Sequence, residues 1–225
     1  MMRDEELRST LDYSEGQKAA AHRVLVELIN LFDEYRDAIR IVGGWVPDLM
    51  FPGEGHVGSV DVDILAGMYG GTQEKKRSQH VQGIKALKAT GGNFAFEFAP
   101  QTVKIEAERT DGAMDAAKVN VIAVVPYFVM KTAAMGRGKA KDAYDLYFLI
   151  KHYADGIEGL AQLFEDYKET SIIQEMKAKL NDKFASPNHA GPVDVAAFLD
   201  LLDEDEIAFT KRDAYEQVQA LIRKI

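Results

Sequence analysis

Residues 41–65, IVGGWVPDLMFPGEGHVGSVDVDIL, constrain the fold more than any other stretch of the chain. A short apolar run enters Gly43-Gly44, a helix-like segment and a glycine-rich loop follow, and an alternating run then carries Asp61 and Asp63. Side chains on a strand alternate between its faces, so these two aspartates share one face while Val60, Val62 and Ile64 take the other. Aspartate is disfavoured in strands. Two like charges on one face are costly unless a cation lies between them, and hard carboxylate oxygens favour Mg²⁺ or Mn²⁺. The paired glycines let a phosphate approach the backbone closely, with the free N–H groups of the following helix start beside it. Glycines and an acid pair in this order point to metal-assisted nucleotide chemistry.

The surrounding chain is that of an ordinary globular protein. Its 225 residues suffice for one or two domains with a proper core. Lysines and arginines number 27 against 36 aspartates and glutamates, a net charge of −9. That balance argues against broad, sequence-independent binding to nucleic acid, while a local basic groove stays compatible with it. With no cysteine there is neither a disulfide nor a thiolate zinc site. No apolar run has the length to cross a bilayer, and MMRDEELRST lacks the apolar region of a signal peptide, so a cytoplasmic protein without membrane partners is expected.

Periodicity sets out the elements. Ser14 and Gln17 fit a capping box, and Ala21, Val24, Leu25, Leu28, Phe32 and Tyr35 recur at helical spacing, which predicts a helix over 14–37. Ile39, Ile41 and Val42 read as a short buried strand, Trp45, Val46, Leu49 and Met50 as the apolar side of a short helix, and residues 60–66 as the acid-bearing strand. A helix is expected over 76–89. Residues 94–98 and 102–108 read as a hairpin around Ala99-Pro100-Gln101, residues 110–117 as turn-like, and residues 119–125 as a further strand. Pro126 suits the first position of a helix. Beyond it only helices are expected, at 139–153, 157–168, 171–183, 194–202 and 211–225. The fold class is therefore α+β, a small mixed sheet flanked by helices, with an α/β domain over 1–125 and a helical region over 126–225.

Several side chains carry possible chemistry. Two acids rarely complete a divalent site, and in 102–108 the alternation places Lys104, Glu106 and Glu108 opposite Val103, Ile105 and Ala107. Glu106 is the first choice for a third acid and Glu108 the second; an edge strand kept soluble by charge is the competing reading. Ser59 is placed either to bond a phosphate or to cap the loop. Lys131, Arg137, Lys139 and Lys141 form a basic cluster suited to a triphosphate, although Lys141 and Asp145 also fit an ordinary i,i+4 surface pair. The five histidines show no ligand spacing, and His56 sits in the loop before the acid pair. Gly-x-Ser-x-Gly, Walker and Rossmann patterns are absent.

A strand ending in Gly-Gly, a helix, and a strand bearing Asp-x-Asp resemble the nucleotidyltransferase fold of the DNA polymerase β superfamily. Gly43-Gly44-Trp45-Val46-Pro47-Asp48-Leu49 is similar to the head of CCA-adding enzymes and aminoglycoside adenylyltransferases. The later Lys139-Ala-Lys141-Asp142-x-x-Asp145-Leu-Tyr helix is most similar to AbiEii-type nucleotidyltransferases, which include toxins of toxin–antitoxin systems. The likeness covers roughly residues 38–153. It implies that Gly43 and Gly44 hold the triphosphate, that Asp61 and Asp63 bind the metals, and that Glu106 takes the third acid position, where aspartate is more usual. Lys141 and Asp142 would then be the later lysine–aspartate motif. The implied reaction is Mg²⁺- or Mn²⁺-dependent transfer of a nucleoside monophosphate from an NTP to a hydroxyl of tRNA, protein or a small molecule, releasing pyrophosphate. An antitoxin-like partner is implied too. The contrasting expectation is a non-catalytic binding module of the same fold.

Overall fold

The computed structural model describes residues 8–67, 80–81, 84–85, 91–109 and 111–225. The capping box forms as expected. Ser14 Oγ accepts the Gln17 N–H and Gln17 Oε1 accepts the Ser14 N–H, each at 3.2 Å, opening helix α1 (Glu15–Leu31). Ala21, Leu25, Val26 and Ile29 are its buried stripe, packed on strands described below. The helix stops six residues short of 37 and a 3-10 segment, Asp33–Ala38, continues. Tyr35 is exposed there, so the apolar period that predicted a longer helix has no core to bury against.

The 3-10 segment feeds strand β1 (Ile39–Val42), all four residues of which are buried. The glycine turn and helix α2 (Val46–Met50) follow, and strand β2 (Asp63–Ala66) begins at Asp63 rather than at 60. The helix expected over 76–89 lies largely outside the described residues. Its described part is instead a small antiparallel ladder of β3 (His80–Val81) and β4 (Ile84–Lys85), with Gly83 falling between them in sequence, a residue that costs about 1 kcal/mol inside a helix. Residues 94–97 form a 3-10 turn, not a strand. Phe94 and Phe98 there bury their rings together, 4.9 Å apart, and both lie against Tyr167. The hairpin is made by β5 (Gln101–Glu108) and β6 (Met114–Val121), with Arg109 N–H bonded to the Ala113 carbonyl across the turn. Strand alternation from 114 onward places Ala117, Val119 and Val121 inside, which overrides the polar look of 110–117.

The four-stranded sheet has the order β2-β1-β6-β5. β1 runs antiparallel to β2 and parallel to β6, and β5 and β6 are antiparallel. The carboxyl ends of β1 and β6 therefore lie side by side, where open α/β sheets place their ligands. Helix α3 (Val124–Ala134) leaves the end of β6, with Pro126 as its third residue, a position whose N–H has no partner within the helix. Helix α4 (Ala140–His152) follows, then α5 (Gly156–Gln162), α6 (Ser171–Lys183), α7 (Ala190–Phe198) and α8 (Glu204–Lys224).

α8 starts seven residues earlier than expected. The run Asp203–Glu206 is its opening: the Asp203 carboxylate accepts the N–H groups of Asp205 and Glu206, and acids suit a helix N-terminus. Its buried stripe is Ala214, Val218 and Leu221, with Ile225 at the end. One apolar cluster joins Leu25, Val121, Leu149 and Leu221, so the core runs on across residue 126. Among the described residues, no helix is long and apolar enough to cross a membrane.

Candidate active site

At the end of β1 the chain turns at Gly43, whose φ of +74° lies in the left-handed region that side chains avoid. A Cβ on Gly43 would overlap Asp63 Oδ2, and one on Gly44 would lie 2.8 Å from Lys141 Nζ and 3.2 Å from Ser59 Oγ. Asp63 thus packs against Gly43, and Lys141 and Ser59 pack against Gly44, so the glycine turn gathers a carboxylate, an ammonium and a hydroxyl. Asp63 is the first residue of β2, paired opposite Val42, and Asp61 precedes the strand with its N–H bonded to Ser59 Oγ at 3.3 Å. Both aspartates reach solvent while Val62 and Ile64 pack against the core, but Leu65 packs there too and Val60 does not, so the expected alternation holds only around the two acids, and the regular strand covers only the second of them.

Behind Lys141 lies a buried ionic network. Lys131 of α3 donates to Asp142 Oδ1 at 2.8 Å and to Asp145 Oδ2 at 2.6 Å. Asp145 Oδ1 accepts Lys141 Nζ at 2.7 Å and His56 Nε2 at 3.0 Å. His56, Lys131, Asp142 and Asp145 are all under 9% exposed, so the i,i+4 pair of Lys141 and Asp145 is no surface decoration. The ring of Tyr13 faces Lys141 Nζ from 5.9 Å.

Glu106 lies elsewhere. Gln101, Val121 and Ile41 share one level of the sheet, one residue from Asp63, and Glu106 is five residues further along β5 on the far edge. At about 3.3 Å per residue and 4.8 Å per strand that is roughly 25 Å from the acid pair. Its carboxylate pairs with Lys104 at 2.5 Å, both side chains exposed. Glu106 and Glu108 are therefore charges on an edge strand, and among the described residues no group of three acids or histidines could hold a metal. Asp142 also departs from a direct nucleotide contact: it is buried and turned to Lys131, and its Oδ2 has no hydrogen-bond partner.

The nucleotidyl transferase AbiEii toxin family of Type IV toxin–antitoxin systems matches residues 93–221. The chain belongs to this family. The match takes in Lys131, Lys141, Asp142 and Asp145 and begins after the glycine pair and after Asp61 and Asp63. No curated protein and no solved structure matches the chain.

Within this AbiEii-family chain the two lysines beside Asp145 are not equivalent. Burial works to lower Lys131, but Asp145 and Asp142 outweigh it and hold the ammonium firmly charged. Burial lowers Lys141, with Asp145 restoring part of the loss and Lys131 adding to it. Lys131 is committed to two carboxylates, whereas Lys141 shares a single oxygen with His56 and points at Gly44. Partial desolvation, and then Asp61, push the Asp63 carboxyl above its ordinary value, with Lys131, Arg137 and Lys139 opposing.

For Asp145, burial works to raise the carboxyl, yet Lys131 and Lys141 overcome it and hold the group well below the ordinary 3.8. A folded-state value below the unfolded one gives stability that is complete above the unfolded value and is lost as the pH falls through the folded one. The denaturant midpoint of the parent is therefore expected to fall steeply on going below about pH 4, and that of Asp145→Asn to be lower at neutral pH with a shallower acid decline. Urea melts at about pH 6 and pH 3 measure both; parallel declines would refute the assignment.

Lys131 and His56 are the members that sequence reasoning undervalued. Lys131 was legible as a cation in an otherwise apolar helix turn, YFVMKTAA, where a lysine demands buried counter-charge. For His56 the sequence carried no signal beyond its place in the loop, because its partner stands 89 residues away.

Proposed function

We propose that Gly43, Gly44, Ser59, Asp61, Asp63 and Lys141 line a cleft that transfers a nucleoside monophosphate from an NTP to an acceptor hydroxyl and releases pyrophosphate. The observation that carries this reading is the approach of Gly44 to Lys141 and Ser59 with Asp63 against the adjacent Gly43. Bare backbone, a cation and a hydroxyl meet at one end, and a carboxylate pair stands at the other. The AbiEii family supplies the reaction class.

In this reading the triphosphate lies over Gly43 and Gly44, its charge met by Lys141 Nζ and by Ser59 Oγ as donor. Lys131 stays with Asp142 and Asp145 and keeps the Lys141 carboxylate partner in place, so Lys141 enters the cleft already aimed. Asp61 and Asp63 would hold a divalent cation. Their fit is that of a two-carboxylate Mg²⁺ site completed by water and phosphate oxygens, not an all-protein cage; burial first, and the like charge of Asp61 second, raise the Asp63 carboxyl, and a cation relieves the second. Such an ion, when bound, supplies neutralisation of the triphosphate and of the charge that develops at phosphorus. The acceptor oxygen forms the new bond to the α-phosphorus as the bond to the α,β-bridging oxygen breaks; that oxygen leaves with the pyrophosphate, and the hydroxyl proton passes to water.

The acceptor is a hydroxyl of tRNA, protein or a small molecule, and the net charge of −9 favours the last two over long nucleic acids. An antitoxin partner accompanies the family reading. The test incubates the full chain with the four α-labelled NTPs and Mg²⁺, against total RNA, lysate protein and a small-molecule extract as separate acceptor fractions. Label transfer to one fraction is expected, and Asp61→Asn with Asp63→Asn is expected to lower it by about a hundredfold or more, while Glu106→Gln leaves it unchanged. Metal-dependent NTP binding without transfer would make the protein a binding module. An active double variant would remove the acid pair from the site.

A further inference from the structure

We infer that His56 is a positioning residue for this site: it ties the loop that carries Ser59 and Asp61 to the helix that carries Lys141 and Asp145. The inference rests on the proposed use of the cleft for a phosphate-bearing substrate. The ring is 2% exposed. Its Nδ1 accepts the Gly58 N–H at 3.0 Å, which assigns the proton to Nε2, and Nε2 donates to Asp145 Oδ1 at 3.0 Å. One edge of the imidazole thus holds the backbone one residue before Ser59, and the other edge holds the carboxylate that Lys141 uses.

The surroundings fix the ring and exclude substrate from it. Tyr144 stacks on one face, with centroids 5.3 Å apart and planes at 14°, and Phe148 meets it edge-on at 4.8 Å. The His56 carbonyl accepts Lys18 Nζ at 2.7 Å, and Lys18 also pairs with Asp48 of α2 at 2.8 Å. Burial favours the neutral imidazole over the charged one, even with Asp145 beside it. A neutral ring is what the site needs, since Gly58 requires an acceptor and Asp145 a donor. An apolar side chain of similar shape would fill the space but leave the Gly58 N–H and one bond to Asp145 unmade. The tie also crosses the boundary of the family match: the loop lies before residue 93 and α4 lies within it.

Three variants separate positioning from packing. His56→Gln keeps a side-chain amide that reaches Asp145 from the loop, His56→Asn keeps an acceptor for Gly58 but falls short of Asp145, and His56→Phe keeps only the bulk. The measurements on the full chain are the kcat/KM for label transfer from NTP, the calorimetric affinity for Mg²⁺-tripolyphosphate, and the melting temperature. His56→Gln is expected to stay within about threefold of the parent. His56→Asn and His56→Phe are expected to lose about 10- to 100-fold in kcat/KM and to bind tripolyphosphate more weakly, in samples that melt cooperatively. A purely structural role would lower the melting temperature of all three and leave the constants of the folded fraction unchanged, and that result would overturn the inference. Should the parent transfer no label at all, the proposed reaction fails by itself. Tripolyphosphate affinity then decides the role of His56: an undiminished value in His56→Asn and His56→Phe refutes it, and a loss rescued by His56→Gln upholds it.

Discussion

Replacing Lys131 with methionine is expected to destabilise the protein by about 3–5 kcal/mol, the usual cost of removing one partner from a buried ion pair. The reason lies in how the acids divide their partners. Asp145 would keep Lys141 and His56, but Asp142 bonds only to Lys131 through Oδ1 and has nothing at Oδ2. Asp142 is 5% exposed, and its carboxylate would be left buried with no counter-charge. For a chain of this length that corresponds to a fall of roughly 6–20 °C in melting temperature. The double variant Lys131→Met with Asp142→Asn is expected to recover part of the loss, because the abandoned charge is then gone. Calorimetric melts of the two variants beside the parent test this, and a Lys131→Met protein as stable as the parent would show that the network contributes no stability.

The second large effect falls on activity. Gly43→Ala is expected to lower nucleotidyl transfer by about a hundredfold while the fold survives. Two costs meet at this position. A left-handed φ costs an L-residue roughly 1–2 kcal/mol, which a protein of this size absorbs. The new methyl would also overlap Asp63 Oδ2, so the carboxylate must move from the place where it faces the cleft. Gly44→Ala acts on the opposite wall by crowding Lys141 Nζ and Ser59 Oγ, and it should raise the KM for NTP more than it lowers kcat. Far-ultraviolet circular dichroism and the fluorescence of Trp45, the single tryptophan, report the fold; label transfer reports the site. A Gly43→Ala protein of full activity would place the catalytic carboxylate elsewhere.

The parts of this fold that could be read from sequence are those whose causes are local. A capping box at Ser14 needs only four residues, a β-branched run into two glycines needs only Ile39–Gly44, and α4 advertises itself by its apolar period. The expected hairpin failed because Phe94, Phe96 and Phe98 alternate like a strand, yet two of them are drawn into an aromatic cluster with Tyr167 some seventy residues on. The placement of Glu106 failed for a related reason. Alternation along β5 predicts which face a residue takes, but its distance from Asp63 depends on the order β2-β1-β6-β5, which no local pattern encodes. The site was legible in the same measure: Gly43, Gly44, Ser59, Asp63 and Lys141 do converge, whereas the bonds that aim Lys141 join residues from an early loop and two later helices.

That distribution has a bearing on when the cleft comes into being. Ile41 pairs with Val121 in parallel, so the sheet that brings the glycine turn beside α3 closes only after eighty further residues are in place. Parallel pairing over such a span is a late and entropically expensive event in folding. During synthesis the acid pair emerges well before Lys131, Lys141 and Asp145, and until α4 has left the ribosome the nascent chain holds its two half-sites apart. In the proposed reading the site is therefore incomplete throughout synthesis and is assembled by the closure of one long crossover.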